Sequence, residues 1–392
     1  MRAPTAHLAL PFFDATHQEI GNCLADWMPQ QSVDERDDRA ACREWVRLLG
    51  ANQWLRYCVP GAFGGALPAL DSRALVVLRE TLAFHSPLAD FVFAMQGLGS
   101  GAITLAGTPG QQAAYLPQVA RGEKIAAFAL SEPDAGSDAG AMKTIASYAD
   151  NTPANGQFGF EITGEKTWIS NGGLADFYVL FAKTAPDLGT RGVSAFIIDV
   201  PTPGLDDSEH IQVMAPHPLA TLRLRGCKLP RSALLGVENQ GFKLAMQTLD
   251  IFRASVAGAA LGMARRALME ATRYAKERPL FGATLADQQL TQAKLGEMAA
   301  LVDAGALLTY RAAWMRDVQH SNTTQAAAMA KLTATENAQR VIDMALQMHG
   351  GMGVKVGTKI ESLYRDIRAL RIYEGASEVQ QLIIGKAVLK GE

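Results

Sequence analysis

Three β-rich runs stand in the middle of this chain: Glu161-Ile-Thr-Gly-Glu-Lys-Thr-Trp-Ile-Ser170, Phe177-Tyr-Val-Leu-Phe-Ala-Lys183 and Val193-Ser-Ala-Phe-Ile-Ile-Asp-Val200. Turn-forming segments lie between and after them, namely Asp187-Leu-Gly-Thr-Arg-Gly192 and Pro201-Thr-Pro-Gly204. No helix of useful length separates the runs. They therefore predict an antiparallel sheet or barrel, and they argue against a parallel sheet built from βαβ units.

Helical patterns dominate on both sides of this sheet. Before it, Phe13–Leu24 and Arg43–Leu49 place apolar residues three and four positions apart. After it, Arg253–Lys276, Leu285–Val318 and Thr323–Met348 are rich in residues that favour helix. We therefore predict an α+β protein with an N-terminal helical domain (1–122), a middle antiparallel β-barrel or sandwich-like domain (123–235) and a C-terminal four-helix bundle (236–392).

Composition argues against several functional classes. The 392 residues are 48% hydrophobic, and 37 Lys and Arg balance 39 Asp and Glu, so neither nucleic acid nor a membrane surface is expected as the main partner. We see no signal peptide and no uncharged apolar run of 18 residues, so we expect no membrane span. The four cysteines and seven histidines lack the spacing of a metal site or a disulfide scaffold. We expect a cytoplasmic protein without a metal.

Three segments are hard to explain by packing alone. Phe128–Asp138 combines small residues with hydroxyls that leave backbone N–H groups accessible to a ligand, although it could equally be an ordinary loop. Ile162–Gly172 offers an aromatic plane and a hydroxyl, although a hairpin with a core tryptophan would look the same. Tyr364–Gln380 places Glu374 before a glycine at an element boundary, yet a lone glutamate is usually a surface residue. Gly97-Leu-Gly-Ser-Gly101 lacks the spacing of a dinucleotide-binding loop.

Together with Glu277-Arg-Pro-Leu-Phe-Gly282 and Gln347-Met-His-Gly-Gly-Met-Gly353, these segments resemble the acyl-CoA dehydrogenase family. All five motifs occur in the family's order, and the resemblance covers roughly residues 50–390. It implies an enzyme that uses FAD to convert an acyl-CoA thioester to a 2-enoyl-CoA and passes the electrons to an electron-transfer flavoprotein. It also implies a homotetramer, a dimer of dimers, in which FAD lies between the β domain and the C-terminal helices.

The resemblance assigns a role to each matching residue. Glu374 would take the α-proton while the β-hydrogen leaves as hydride to flavin N5, and Tyr373 would lie beside the thioester. Trp168 would pack against the isoalloxazine, and Ser170 would hydrogen-bond near N5. The other implied cofactor contacts are Phe128, Leu130, Ser131, Gly136, Ser137, Arg278, Phe281, Gln289, Gln347, Gly351, Ala376 and Glu378. Arg278, Phe281, Gln347 and Gly351 would reach the adenosine-diphosphate half of a partner subunit's FAD.

The implied substrate contacts are fewer. Ser137, Asp250 and Arg253 would contact the acyl-CoA, although Asp250 and Arg253 could also form an ordinary ion pair within their helix. A glutamate stands at the position of Phe252 in some family members, and phenylalanine cannot serve as a base there. The chemistry requires such a base because the α-hydrogen of a thioester is weakly acidic. Polarisation of the carbonyl oxygen stabilises the enolate, and exclusion of water raises the proton affinity of Glu374.

Two features depart from the family pattern. Met214–Arg223 is shorter than the usual segment and lacks the expected Arg-x-Ser-Asp/Pro-Thr pattern, so contacts near the flavin edge could differ. Asp90 lies among Phe91, Phe93 and Met95 on a helix that in the family forms the floor of the acyl pocket. It either faces solvent or caps the helix after Ser86-Pro87, or it meets a polar, cyclic or functionalised acyl group or acts as a second base.

Three rival functions fit the same pattern. A flavin oxidase or an eliminating enzyme could use the same scaffold, and a binding protein could retain FAD without turnover. The acyl group could also arrive on a carrier protein, because Asp250 and Arg253 alone do not require free CoA.

Overall fold

The structure is a computed structural model that describes residues 1–149, 159–321 and 323–391. Within these ranges the chain forms ten α-helices: α1 (Ala15–Trp27), α2 (Asp38–Ala51), α3 (Ser72–His85), α4 (Pro87–Ala106), α5 (Pro109–Ala120), α6 (Gly241–Glu277), α7 (Gln289–Gln319), α8 (Thr324–His349), α9 (Lys359–Leu370) and α10 (Ser377–Lys390). The strands are β1 (Ala126–Ala129), β2 (Ile145–Tyr148), β3 (Phe160–Ser170), β4 (Phe177–Lys183), β5 (Val193–Asp199), β6 (Leu205–Ile211), β7 (Leu219–Leu229), β8 (Leu234–Leu235), β9 (Pro279–Leu280) and β10 (Ala283–Thr284). The predicted α+β class, with helices before and after a central sheet, is confirmed.

The N-terminal helices begin at side chains that accept hydrogen bonds from their first turns. Asp14 caps α1 in a box with His17, and Thr108 caps α5 in a box with Gln111. Asp71 caps α3 by accepting from the backbone N–H of Ala74. These side chains satisfy N–H groups that have no partner within the helix, so short polar residues mark where each helix starts.

The central sheet is mainly antiparallel, as predicted. Its strands follow the order β6-β7-β3-β2-β4-β5-β8, and β1 pairs with β4. Only the β1–β4 pairing and the single-residue β2–β4 pairing are parallel. Ile162, Tyr178, Leu180 and Phe196 lie in the buried core on one face of the sheet. The three runs that predicted the sheet correspond to β3, β4 and β5.

The long C-terminal helices match their predicted positions except at two starts: α7 begins at Gln289 rather than Leu285, after a short 3-10 turn at Leu285–Asp287, and α6 begins upstream of its prediction. The pattern predicted a helix from Arg253, whereas α6 begins at Gly241. The extra turns are helical because Leu244, Ala245 and Thr248 are buried at helical spacing, so the apolar face continues upstream.

The chain divides into two compact units that differ from the predicted domain ranges. The helical unit comprises residues 1–32, 71–90 and 250–392, and the sheet unit comprises residues 33–70 and 91–249. Two of the unit boundaries, at residues 90/91 and 249/250, fall inside α4 and α6, so each of these helices belongs partly to each unit. The predicted boundaries at 122 and 235 remain a prediction.

Helix α4 is long and apolar enough to cross a membrane by those two criteria, with a mean hydropathy of 1.3 over its most apolar window. However, 89% of that window is buried within the protein. A core helix passes the same test of length and composition. The sequence analysis had found no such segment, because Asp90 interrupts the apolar run.

Candidate active site

In the sheet unit, a bulge at the end of β3 carries two predicted flavin contacts. The pairing of β3 with β7 shifts register between Lys166 and Ile169, and Trp168 adopts a left-handed backbone conformation with φ 59°. Ile169 points into the core, whereas the Trp168 side chain is 58% exposed. The alternative of a core tryptophan is therefore wrong. An exposed indole in a strained backbone conformation is typical of a ligand platform rather than of packing.

A buried ion pair and two hydrogen bonds to backbone carbonyls connect the loop that follows β1 to this bulge. Lys166 Nζ lies 2.7 Å from Glu132 Oε1 and donates to the carbonyl of Leu130 at 3.1 Å. The carbonyl of Ser131 accepts from Thr167 N–H at 3.0 Å. Burial lowers the pKa of Lys166 to about 8, although Glu132 offsets part of this effect. The buried ion pair thus holds Leu130 and Ser131 next to the strand that carries Trp168.

The rest of that loop is open to solvent. Gly136 and Ser137 are exposed, and a Cβ placed on Gly136 would meet no protein atom within 4 Å. Phe128 lies half-buried in β1 with its ring 4.9 Å from that of Phe181. The loop therefore presents backbone and hydroxyl groups to free space, as a phosphate-bearing ligand would require. The loop is exposed and is held by a buried ion pair, and its role as a ligand site stays a prediction.

The hydroxyl of Ser170 contacts a histidine that the sequence analysis did not select. Ser170 Oγ lies 3.1 Å from His217 Nε2, and His217 precedes β7, the strand that pairs with β3. Burial lowers the pKa of His217 to about 3, so its imidazole is neutral at physiological pH. His217 belongs to Met214–Arg223, the segment that departs from the family pattern.

In the helical unit, Glu374 occupies the loop between α9 and α10. Its backbone is left-handed with φ 52°, a conformation that is uncommon for a residue with a side chain. Lys331 Nζ and Gln380 Nε2 both donate to the carbonyl of the next residue, Gly375, at 2.7 and 2.9 Å. Glu336 Oε1 accepts from Arg371 on one side of the loop and from Ser377 on the other. The conformation is therefore held by contacts from α8 and α10.

The carboxylate of Glu374 is buried, and its Oε2 has no hydrogen-bond partner among the described residues. Burial raises the pKa of Glu374, and the positive charges of Arg79, Lys331 and Arg253 offset part of that rise. An unpaired carboxylate oxygen inside a protein is costly unless a ligand completes its bonding. Its raised proton affinity suits a general base.

Asp90 forms a buried ion pair with Arg79, so the expectation that it faces solvent or caps the helix is wrong. Arg79 Nε and Nη2 donate to the two carboxylate oxygens of Asp90 at 2.8 and 3.0 Å, and Arg79 Nη1 donates to Ser255 Oγ at 2.9 Å. The hydroxyl of Ser86 caps the start of α4 instead. Asp90 is only 1% exposed, because a bidentate arginine neutralises it.

The predicted substrate contacts Asp250 and Arg253 pair with each other. Arg253 Nη1 donates to Asp250 Oδ1 at 2.5 Å, one helical turn away, and Thr324 Oγ1 donates to Asp250 Oδ2 at 3.3 Å. Arg253 Nε is buried and has no hydrogen-bond partner among the described residues. The ion-pair interpretation is therefore correct for these side chains, and their contact with CoA stays a prediction. Tyr373, next to Glu374, is half-buried.

Two predicted contact segments of the helical unit lie close together. Tyr274, near the end of α6, stacks on His349 at the end of α8 with ring centroids 4.3 Å apart. This contact joins the ends of α6 and α8, and the β9–β10 hairpin and the Gly-rich turn follow these ends in the chain. Four predicted contacts near these ends are exposed: Arg278, Phe281, Gln347 and Gly351. Gln289 at the start of α7 and Glu378 in the first turn of α10 are exposed as well, and Ala376 is half-buried.

Sequence reasoning missed three polar side chains around the site: Arg79, Lys331 and His217. A signal was present for two of them. Arg79 and its neighbour Glu80 follow Leu75-Val-Val-Leu78, and Lys331 follows Ala326-Ala-Ala-Met-Ala330, so each places charge in an otherwise apolar helical run. Such residues are almost never fully buried unless they are paired. For His217 the flanking prolines were visible, but its partner Ser170 is distant in sequence.

The donor set suits a flavin nucleotide. The exposed Trp168 ring, the Ser170 hydroxyl and the open loop at Gly136 offer an aromatic surface, a hydrogen-bonding group and a phosphate-sized space in one unit. These are the features that an isoalloxazine ring and a pyrophosphate require. The residues present therefore fit FAD.

Sequence models of three domains of one family match the chain in order. The N-terminal domain of acyl-CoA dehydrogenase matches residues 16–123, the middle domain residues 127–227 and the C-terminal domain residues 239–389.

Individual relatives match almost the whole chain. The chain is 37% identical over 386 residues to a 3-(aryl)acrylate reductase of Clostridium sporogenes, covering 97% of this chain and 100% of that protein. It is 38% identical over 335 residues to subunit CarC of the caffeyl-CoA reductase–Etf complex of Acetobacterium woodii, covering 85% of this chain and 86% of that protein. The structure of butyryl-CoA dehydrogenase from Megasphaera elsdenii superimposes with a TM-score of 0.87 at 31% identity, covering 96% of this chain and 99% of that one.

Proposed function

The chain belongs to the acyl-CoA dehydrogenase family, and we propose that Glu374 is the base that removes the α-proton of its acyl-CoA substrate. The enzyme is an FAD-dependent acyl-CoA dehydrogenase. The observation that carries the proposal is the buried Glu374 carboxylate, which has an unpartnered oxygen and a backbone held in a left-handed conformation.

Each feature of the Glu374 loop serves proton abstraction. Burial keeps water from competing for the carboxylate and raises its proton affinity. Lys331 and Gln380 fix the Gly375 carbonyl, so the carboxylate does not need to be ordered during the reaction. The charges of Arg79, Lys331 and Arg253 lower the pKa of Glu374 and so offset part of the rise that burial causes, which favours the ionised carboxylate. The protein thus supplies an oriented base whose pKa is raised by burial and limited by nearby cations.

FAD, when bound, supplies the acceptor for the hydrogen and the two electrons that leave the β-carbon. Trp168 and Ser170 would orient the ring, and the loop from Leu130 to Ser137 would bind the phosphates. Arg278 and Phe281 would bind the adenosine half in a partner subunit. These assignments rest on the exposure of the Trp168 ring and of the hairpin, and they remain proposals.

The test is anaerobic addition of short, branched, cyclic and aromatic acyl-CoAs to the purified yellow protein, followed at the flavin absorption band. We expect bleaching by at least one acyl-CoA, loss of bleaching in Glu374→Gln, and slow reoxidation by O₂. Fast reoxidation by O₂ would instead identify an oxidase. A Glu374→Gln variant that bleaches like the parent would contradict the assignment of the base and favour a different chemistry.

The reaction could also run toward reduction, and the names of two relatives favour this candidate. Those relatives are reductases of aryl acrylates and of caffeyl-CoA. A base that removes an α-proton can return it, and the raised pKa of Glu374 helps it to hold that proton. Mixing dithionite-reduced enzyme with 2-enoyl-CoAs would distinguish the two directions. Faster reoxidation by enoyl-CoA than bleaching by acyl-CoA would identify a reductase.

We propose that the Asp90–Arg79 pair limits the acyl group to a short, cyclic or functionalised one. The proposal rests on the polar character of this buried pair, which joins the apolar helices α3 and α4. The test is the substrate preference of Asp90→Asn with straight-chain and cyclic acyl-CoAs. An unchanged substrate preference would contradict this proposal. The same assay with the acyl group on the pantetheine of a carrier protein, in place of CoA, would test whether the enzyme uses a protein-bound substrate.

We further propose that the protein is a cytoplasmic homotetramer that degrades fatty or organic acids and passes electrons to an electron-transfer flavoprotein. Relatives linked to such a flavoprotein support the last point. The exposed apolar side chains of Phe281, Leu382 and Leu389 support assembly. Sedimentation would give the oligomeric state, and flavoprotein reduction would test the electron partner.

A further inference from the structure

Ser170 and His217 form a polar contact in the sheet unit that the proposed function does not use. Ser170 ends β3 two residues after the exposed Trp168, and the residue between them, Ile169, is buried in the core. Its Oγ lies 3.1 Å from His217 Nε2. Ser170 therefore carries a hydroxyl next to the exposed indole, and that hydroxyl already has one hydrogen-bond partner.

The position of His217 is set from four directions. Pro216 and Pro218 flank it, and both restrict the backbone of this short segment. Its backbone N–H lies 3.3 Å from Asp38 Oδ2, and its ring packs on that of Phe91 with centroids 3.9 Å apart. The carbonyl of Pro218 accepts from Asn171 N–H at 3.0 Å, which ties the segment to the residue after Ser170. A rigid support for one hydroxyl suggests that the direction of this hydroxyl matters.

We propose that His217 is a positioning residue that fixes the direction of the Ser170 hydroxyl toward the flavin ring and thereby sets the reduction potential of the bound FAD. This inference rests on the proposed function. A serine hydroxyl has one proton and rotates freely in the absence of a partner. A hydrogen bond to His217 leaves Ser170 with one defined group to present, either its proton or a lone pair.

The physical consequence follows from the difference between the two redox states of a flavin. Oxidised and reduced flavin differ in whether the ring edge accepts or donates a hydrogen bond, so a fixed hydroxyl stabilises one state more than the other. If the protein binds reduced and oxidised FAD with different affinities, the reduction potential of the bound FAD shifts. A tenfold ratio of the two affinities corresponds to a shift of about 30 mV for a two-electron couple. Because the direction of the acyl-CoA reaction depends on this potential, His217 would bias the enzyme toward dehydrogenation or toward reduction.

The experiment measures the midpoint potential of the holoenzyme by dye-coupled titration for the parent, His217→Phe, Ser170→Ala and the double variant. His217→Phe keeps an aromatic ring against Phe91 and removes the hydrogen bond. We expect each single variant to change the ratio of affinities for reduced and oxidised FAD about tenfold, a shift of about 30 mV. We expect the double variant to have the same potential as Ser170→Ala alone, because His217 acts only through the Ser170 hydroxyl.

Three controls keep the result interpretable. His217→Gln can still hydrogen-bond Ser170, so the potential should return part of the way to that of the parent. His210→Ala removes an exposed histidine of the same sheet and should leave the potential unchanged. The FAD dissociation constant and the visible spectrum report whether the single variants still bind flavin.

A His217→Phe potential equal to that of the parent, or fully additive shifts in the double variant, would overturn the inference. Failure of the proposed function is a separate result, because it would appear in the parent protein as flavin that no acyl-CoA bleaches and no enoyl-CoA reoxidises. If His217→Phe does not fold, the potentials of His217→Gln and Ser170→Ala decide. In that case the inference requires His217→Gln to shift the potential in the same direction as Ser170→Ala, but by less.

Discussion

Glu374 and Phe281 share a backbone conformation and differ in everything around it. Both are left-handed residues of the helical unit, with φ 52° and 50°. Glu374 is half-buried with its carboxylate oxygen Oε2 out of contact with solvent, and side chains from α8 and α10 hold its loop. Phe281 is 91% exposed at the tip of the β9–β10 hairpin, with Gly282 at φ 79° beside it.

The difference shows two ways in which an unfavourable backbone conformation is retained. At Glu374 the surrounding side chains over-determine the loop, so the strain is balanced within the chain. Phe281 takes the first position of a two-residue turn where Asn or Asp is preferred, and no packing around its ring explains the choice. We infer that its ring is needed by something outside this chain, in agreement with the proposed contact to a partner subunit's FAD.

Removing the carboxylate should give the largest effect. Glu374→Gln keeps the shape of the side chain and removes the base, so we expect the rate of flavin bleaching to fall about 10²- to 10⁴-fold. Stopped-flow absorbance under anaerobic conditions measures this rate. FAD content should match that of the parent, and equal bleaching rates would contradict the assignment.

Releasing the loop should give the next largest effect. Lys331→Met removes the ammonium that binds the Gly375 carbonyl, so we expect a loss of bleaching rate of up to about 10²-fold through misplacement of the base. Lys331 lowers the pKa of Glu374, so its removal should also raise that pKa. The acid limb of the pH profile of kcat/KM should move to higher pH. An unmoved acid limb would show that Lys331 supports the loop without acting on the carboxylate.

The Arg79–Asp90 pair should give two smaller effects of opposite sign. The charge of Asp90 raises the pKa of Glu374 and the charge of Arg79 lowers it. Asp90→Asn should therefore move the acid limb to lower pH, and Arg79→Gln should move it to higher pH. Both variants should also unfold more easily, by about 3 kcal/mol, because each leaves a buried partner without its counter-charge.

The pH profile of kcat/KM for each variant tests the signs of these shifts, and urea titration measures the stability. Shifts in the same direction would mean that the pair acts through structure rather than charge. Glu297→Gln removes an acidic partner of Arg340 on the exposed surface and serves as the control, with no shift expected.

Relieving the strain in the hairpin should give the smallest effect on stability. Phe281→Asn places a residue that tolerates positive φ, so we expect the apoprotein to gain about 1 kcal/mol. FAD binding should weaken in the same variant. Thermal unfolding and FAD titration measure the two quantities, with Val356→Asn as a control at another exposed apolar residue. Unchanged FAD affinity would indicate that the Phe281 ring contacts a partner surface other than FAD.

The sequence was informative wherever the signal is local. The β-rich runs, the long helices and the residue Glu374 were identified because strand propensity, helical spacing and short motifs depend on neighbouring residues. Trp168 and Ser170 were identified in the same way, although whether the indole was buried remained open until the bulge at Lys166–Ile169 showed it exposed.

The sequence by itself determined the order of helices and strands, the family and the candidate base Glu374, because these follow from local pattern and from motif spacing. Tertiary structure alone decided the partners: Arg79 for Asp90, Lys331 for the Glu374 loop and His217 for Ser170. Each of these contacts joins residues that are distant in the chain, except for Arg79 and Asp90, which belong to successive helices. The role of a buried charge depends on the group that folding brings into contact with it, and local sequence patterns do not predict that group.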